Sequence, residues 1–135
     1  MNHVHWLSPG DPSQRTGGYL YNARIGEALV AKGIGVDVLP LTGPWPRPDG
    51  RHTEVLASIP DGAIVVADGL LWPGLHPEDR HRLTSRCVVW VVVHSLMDLG
   101  HPDSKSELAA EEARALKEAH GCFATSVRTA TLLQQ

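Results

Sequence analysis

Short apolar runs alternate with amphipathic segments along this chain. Residues 4–7 form an apolar run closed by a loop rich in proline and glycine, which predicts a strand. Apolar residues recur at helical spacing from Tyr21 to Leu29, and Gly33 supplies a stop signal for that helix. Residues 35–40 alternate as a second strand. The first part of the chain therefore predicts a strand, a helix and a strand.

The alternation continues to the end of the sequence. The prolines between residues 42 and 50 forbid both a helix and a central strand, so this segment is predicted to be a surface loop. Residues 88–93 carry β-branched side chains on both faces, which indicates a doubly covered strand, and we expect it to be the central one. Further strands are predicted at 63–67 and 122–124, and helices at 53–59, at 77–83, from a capping box at Ser104 to about His120, and after Ser126.

This order of elements predicts an α/β fold: a parallel sheet with right-handed crossovers and helices on both faces. The 135 residues are enough to bury a substantial core, and we predict a single domain over residues 1–135. In parallel sheets, ligands bind beyond the carboxyl ends of the strands. The candidate site therefore comprises the loops at residues 8–18, 42–52, 68–72, 94–101 and 125–126.

Composition narrows the classes of function. A formal net charge of -3 gives no basic field, so nucleic acid is not predicted as the main ligand. Cys87 and Cys122 lie in apolar runs and are interpreted as core thiols. No apolar run is long enough to span a bilayer and the start lacks a signal-peptide pattern, so we expect a cytoplasmic protein.

Gly17 and Gly18 stand where the first strand gives way to the first helix. Unhindered N–H groups at the positive end of a helix dipole suit a phosphate or a sugar hydroxyl, although a glycine pair also fits a simple tight turn. The dinucleotide spacing of glycines is missing, and so is the lysine and hydroxyl pair of a phosphate-binding loop. Neither a nicotinamide cofactor nor ATP is predicted.

Two strand ends carry further candidates. His94 follows the 88–93 strand directly, where an imidazole can act as a general base or bind a hydroxyl, or can be an ordinary loop residue. Asp68 and Gly69 close the 63–67 strand, and this pair also fits a plain turn.

Other polar and aromatic residues have simpler interpretations. His94, Asp98 and His101 could ligate a metal by their spacing, but a loop fixes no geometry, so no metal is predicted. His3 and His5 share a face of the first strand and are interpreted as packing or edge residues. The indoles of Trp45 and Trp72 could stack on a sugar or pin their loops, and the charge pattern around Glu111 and Glu112 predicts a solvated helix face.

Seven short stretches, taken in their order and spacing, carry a family resemblance: residues 16–21, 32–38, 44–46, 66–70, 92–96, 112–116 and 124–130. Over nearly all 135 residues the chain resembles the Rossmann-like amino-terminal domain of family 4 glycosyltransferases, whose GT-B architecture has two such domains. The resemblance implies retaining transfer of a sugar from a nucleotide-sugar donor to an acceptor, without a cofactor or a tightly bound metal.

The resemblance also implies roles for individual residues. Gly17 and Gly18 would lie close to the donor phosphates, and His94 would contact the transferring sugar as the catalytic residue. Relatives often carry His-Pro-Leu followed closely by an acid, whereas this chain has His-Ser-Leu-Met followed by Asp98. The remaining substrate-binding candidates are Asp68 and Gly69 on the acceptor side, Asp98 in place of that acid, and Ser126.

The family's carboxyl-terminal, donor-binding domain has no counterpart in these 135 residues. We therefore expect a domain that is inactive alone, because half of the stabilisation of the leaving diphosphate would come from the other domain. Its expected partners are a nucleotide-sugar, an acceptor and that second domain. Two alternatives stay open: a stand-alone binding module for a sugar or nucleotide, and an interaction subunit that pairs with a separate carboxyl-terminal half or with itself.

Overall fold

Five parallel strands form one sheet in the computed structural model, which describes residues 3–10, 17–45, 48, 50–94, 107–125, 131 and 134. The strands are β1 (His3–Pro9), β2 (Gly35–Leu41), β3 (Ile64–Asp68), β4 (Val88–Val93) and β5 (Gly121–Ala124), and they lie in the order β2-β1-β3-β4-β5. The helices are α1 (Gly17–Ala31), α2 (Thr53–Ala57), α3 (Pro77–Arg86) and α4 (Glu107–Glu118), with a 3₁₀ turn at Trp72–Gly74. The predicted Rossmann-like α/β fold is confirmed.

Helices cover both faces of the sheet, as predicted. On one face α1 packs Ile25 and Leu29 against a small cluster from β1, β3 and β4 that includes Trp6. On the other face α2, α3, α4 and the 3₁₀ turn cover a larger core around Val65 and Val91. None of the described helices has the length and apolar character that crossing a bilayer requires.

The order of the strands corrects one prediction. The 88–93 strand, β4, is internal, but the middle of the five described strands is β3, which pairs with β1 on one side and β4 on the other. Apolar residues on both faces mark any internal strand, because each is covered twice. They carry no information on which internal strand is the middle one.

The ends of α1 combine a confirmed boundary and a shifted one. Gly33 ends the helix with φ of 85°, and the Ile34 N–H bonds back to the Leu29 carbonyl oxygen over 2.9 Å, as in a glycine-terminated helix. At the other end α1 begins at Gly17, so Gly17 and Gly18 belong to its first turn rather than to a turn before it. The amino end of α1 therefore lies at the carboxyl edge of the sheet.

Arg80 is completely buried where α3, α4 and the 3₁₀ turn meet. Its guanidinium donates to Glu118 over 2.9 Å and to Glu111 over 2.8 Å, and to the backbone carbonyls of Pro73 and Leu75 over 3.0 and 2.7 Å. Burial acts to lower the pKa of Arg80, but the hydrogen bonds and charges of the two glutamates raise it above its usual value. One cation thus joins three elements.

The predicted solvated face of α4 is wrong where it meets Arg80. Glu112 is only 5% exposed, and Glu111 is half-buried because it binds the buried guanidinium. An alternating charge pattern describes one helix by itself. It carries no sign that the neighbouring helix buries an arginine, which binds Glu111 and Glu118 of α4.

Asp79, in the first turn of α3, is a second buried charge. It accepts hydrogen bonds from Arg51 over 2.7 Å and from the Thr53 hydroxyl over 3.0 Å. Burial acts to raise the pKa of Asp79, but these hydrogen bonds and the charge of Arg51 lower it overall. The pair fixes the chain just before α2 to the start of α3.

The two cysteines are free thiols on the larger core. Cys87 is buried, as predicted, whereas Cys122 is half-buried at the end strand β5, where burial raises its pKa. Of the predicted loop and terminal features, Ser104, Asp98, His101 and Ser126 lie outside the described residues, as does most of the expected final helix.

Candidate functional site

Strands β3 and β4 leave the sheet side by side at its carboxyl edge. Asp68 is level with Val92, and the Gly69 N–H donates to the Val92 carbonyl oxygen over 2.8 Å. A Cβ atom at position 69 would lie 2.9 Å from that oxygen, closer than side-chain atoms approach. Glycine therefore lets the chain after β3 stay against β4, which keeps Asp68 close to the residue that follows β4, His94.

Asp68, Asn22 and His94 form a connected group at this edge, which we call the edge network. The Asp68 carboxylate accepts the Leu70 N–H at Oδ1 and the Asn22 amide at Oδ2, both over 2.8 Å. The Asn22 amide oxygen lies 3.2 Å from His94 Nε2, and that nitrogen lies 3.8 Å from Asp68 Oδ2. The side chains thus come from α1, β3 and the end of β4.

Hydrogen-bonding rules fix the direction of this network. A carboxylate can only accept, so Asn22 presents its NH₂ to Asp68 and its oxygen to His94. An amide oxygen also only accepts, so the hydrogen of the imidazole in this contact is on Nε2. The chain of donation therefore runs from His94 through Asn22 to Asp68.

The side chains of Asp68 and His94 differ in how much of each is exposed to solvent. The Asp68 side chain is 8% exposed and the His94 side chain 25% exposed. The Asp68 carboxylate accepts two hydrogen bonds that hold it in place, and the more exposed His94 ring lies 3.8 Å from it toward solvent. The arrangement can orient an imidazole for hydrogen bonding or proton transfer at the open edge of the sheet.

An open cleft of about 420 Å³ adjoins Asn22, between α1 and strands β1 and β2. Ser8 and Asn22 give it polar atoms on the side of the edge network. Most of its lining is apolar, from Trp6, Val30, Val36 and Val38 among others. The cleft suits a ligand with an apolar portion and a polar end.

The structure brings together some of the predicted site residues. Asp68, Gly69 and His94 meet at one edge, as expected from parallel strand ends. Gly17 and Gly18 open α1, and Asn22 follows Gly17 by five residues, or roughly 7.5 Å along the helix axis. The other two predicted site residues, Asp98 and Ser126, lie outside the described part of the chain.

Asn22 is the functional candidate that the sequence analysis missed. It precedes Ile25 by three residues and Leu29 by seven, and those two partly buried side chains form the apolar stripe of α1 that packs on the sheet. A polar residue on an apolar stripe needs a partner when it is buried. That mismatch was the available signal, and the partner proves to be Asp68.

The two loop tryptophans serve the fold. Trp72 is fully buried and its indole N–H donates to the Ala115 carbonyl over 2.6 Å, so it pins its loop and offers no face to a sugar. Trp45 is half-buried, donates to the Leu41 carbonyl over 2.9 Å and stacks on His52. Both indoles hold loops against the larger core.

No protein-family model matches the chain, and no curated protein matches it significantly.

Proposed function

We propose that this chain is the acceptor-side, amino-terminal domain of a retaining glycosyltransferase that transfers a sugar from a nucleotide-sugar to a hydroxyl group. The edge network carries the proposal: a buried carboxylate orients an imidazole at the carboxyl edge of a parallel sheet, beside the amino end of a helix. The family resemblance in the sequence supports the same assignment.

In this proposal each described site residue has a distinct task. His94 hydrogen-bonds the transferring sugar, and Asp68 acts through Asn22 to hold that imidazole in place. The N–H groups of Gly17 and Gly18 at the start of α1 face the donor phosphates, where the helix dipole favours negative charge. The nucleotide would be held by a second Rossmann-like domain that faces the edge network.

The cleft beside Asn22 narrows the acceptor class. Its mainly apolar lining favours an acceptor that carries an apolar portion next to its hydroxyl group. Such an acceptor would place its hydroxyl at the edge network and its apolar part between α1 and β2. A cytoplasmic location, where nucleotide-sugars serve as donors, belongs to the same proposal.

Protein-observed ¹H–¹⁵N NMR titrations of the purified, ¹⁵N-labelled chain test the proposal. The panel contains monosaccharides, alkyl and aryl glycosides, and the UDP, GDP and ADP forms of glucose or mannose. We expect a member of the panel to bind and to shift the Asn22 side-chain amide and the Gly69 backbone amide. His94→Ala should weaken that binding about tenfold, the loss of one good hydrogen bond, while Arg24→Ala on the exposed face of α1 should leave it unchanged.

The same experiment separates the alternatives. Binding that is identical in wild type and His94→Ala, or a panel without any binder, would remove the support for a glycosyl-transfer site at this edge. Submillimolar binding of a lone sugar without any transfer when a donor is added and a second domain is supplied would instead favour a binding module. Concentration-dependent sedimentation without ligand binding would favour the interaction subunit.

A further inference from the structure

At the opposite, amino edge of the sheet, three potential metal ligands converge on strands β1 and β2. His3 and His5 are two residues apart on β1 and share a face, and backbone pairing places Asp37 of β2 directly beside His5. The sequence interpretation of the histidines as packing or edge residues did not include Asp37, which only the strand register brings in. We propose that His3, His5 and Asp37 bind a divalent transition-metal ion, with Zn²⁺ the best match.

The donor atoms are already close to a coordination shell. His3 Nε2 lies 2.6 Å and His5 Nδ1 3.9 Å from Asp37 Oδ2, and the three ligand atoms all lie within 4.8 Å of one another. Bonds of about 2.0–2.1 Å to a tetrahedral Zn²⁺ put ligand atoms roughly 3.3–3.4 Å apart. The 2.6 Å contact must therefore open by about 0.7 Å and the 3.9 Å contact close by about 0.5 Å, while the two imidazole nitrogens, at most 4.8 Å apart, must also reach this spacing.

The chemistry of the three ligands selects the metal. Two imidazoles and one carboxylate suit zinc and its first-row neighbours, whereas Mg²⁺ and Ca²⁺ prefer shells made of oxygen. The His3–His5 rings stand edge to face with centroids 5.0 Å apart, so their nitrogens can approach one ion from different directions. Both ligand-bearing strands are held by the sheet, which keeps the three positions fixed.

The surroundings allow an ion to enter. The side chains of His3, His5 and Asp37 are 38, 15 and 58% exposed. An open depression of about 390 Å³ lies beside His5 and Asp37, bordered by Ser58 and Ile59 just after α2 and by the outer strand β2. Three protein ligands and an open side leave a position for water. The proposed site lies three strand residues, or about 10 Å, from the level of Asp68, so it is separate from the edge network.

Calorimetric titration of the metal-free chain, prepared without a histidine tag, with ZnCl₂ tests the site. We expect one equivalent to bind, with no binding of MgCl₂, and a thermal unfolding temperature that rises with free Zn²⁺ because the ion joins β2 to β1. His3→Ala and Asp37→Asn should each weaken binding by more than the roughly tenfold that loss of an outer-shell partner costs. His81→Ala, which removes an exposed histidine of α3, should leave binding unchanged.

Two further measurements keep the result decisive. In the unaltered chain, the ring nitrogens of His3 and His5 should shift on Zn²⁺ addition in ¹⁵N NMR, which needs no variant to fold. Binding should also survive alkylation of the accessible thiols, which excludes Cys122 as a ligand. Absence of binding, shifts confined to other histidines, or equal weakening by His81→Ala would overturn the proposal.

Discussion

Replacement of Asn22 by alanine tests whether the edge network is a real energetic unit. The substitution removes the hydrogen bond to Asp68, in which a nearly buried carboxylate is the acceptor. A hydrogen bond to a charged group contributes about 1.5–3 kcal/mol, and we take about 2 kcal/mol. The contact with His94 adds little, because the imidazole is partly exposed and water can replace the amide.

Helix propensity opposes this loss. Alanine is the better helix former, and at an interior position of α1 the exchange returns about 0.5 kcal/mol. The net destabilisation expected for Asn22→Ala is therefore about 1.5 kcal/mol. Arg24→Ala, on the exposed side of the same helix, removes no partner seen in the structure and should change stability by less than about 0.5 kcal/mol.

Urea unfolding followed by tryptophan fluorescence measures both variants. A double-mutant cycle with Asp68→Ala removes the propensity term and should give a coupling energy of about 1–2 kcal/mol between Asn22 and Asp68. Zero coupling, or an Asn22→Ala variant at least as stable as the wild type, would show that the edge network does not hold these side chains together. The edge network would then not account for the orientation of His94.

Three further predictions concern residues that support the fold and the site. Arg80→Met should lower the free energy of unfolding in urea by about 3 kcal/mol, because it leaves two partly buried glutamates and two backbone carbonyls without their hydrogen-bond donor. Arg82→Met breaks only an exposed ion pair and should lower it by less than about 0.5 kcal/mol. Equal losses in the two variants would refute the structural role of the buried Arg80. Because the pKa of Asp79 is lowered in the folded chain, its carboxylate stabilises the fold above its ordinary pKa of about 3.9, and that stability is lost as the pH falls toward the folded value. The free energy of unfolding, measured from pH 6 to pH 3, should therefore fall less steeply in Asp79→Asn than in the wild type. An equally steep fall would contradict this. Gly69→Ala should cost about 1–3 kcal/mol, because its Cβ meets the neighbouring strand's carbonyl, and a neutral result by the same urea assay would contradict the close approach.

The sequence predicted the elements of this fold far better than their arrangement. Hydrophobic periodicity reports which side chains are covered, so the five strands and the helices that connect them fall within a few residues of their predicted positions. Periodicity does not report which strand lies next to which. β3 is the middle strand because the chain crosses from β2 past β1 before it forms β3. Periodicity gives no sign of that crossover, so the 88–93 strand was wrongly expected in the middle.

Some residues of the candidate site could likewise be predicted from the sequence and others could not. Asp68 and His94 could be predicted because parallel strands place their carboxyl-terminal residues at one edge, and the topology alone brings them together. Asn22 could not be assigned a role from spacing, since its partners lie 46 and 72 residues away and depend on how α1 crosses the sheet. Asp37 joins the two histidines of β1 for a similar reason, through strand register.

Buried charge is the other feature that local pattern hides. Arg80 has acidic and basic neighbours along α3, which is typical of an exposed helix. Its burial depends on carbonyl groups of the 3₁₀ turn and on carboxylates of α4, all supplied by tertiary contact. The same contact explains why Glu111 does not face solvent as predicted.

Whether His94 contacts a bound sugar can be measured from the ¹⁵N NMR signals of its ring during titration with the tightest-binding sugar compound of the panel. The ring nitrogens should shift and saturate with the same dissociation constant as binding itself, and Asn22→Ala should weaken the binding. A sugar that binds and leaves the His94 nitrogens unchanged, while the signals of another histidine such as His120 move, would contradict this expectation.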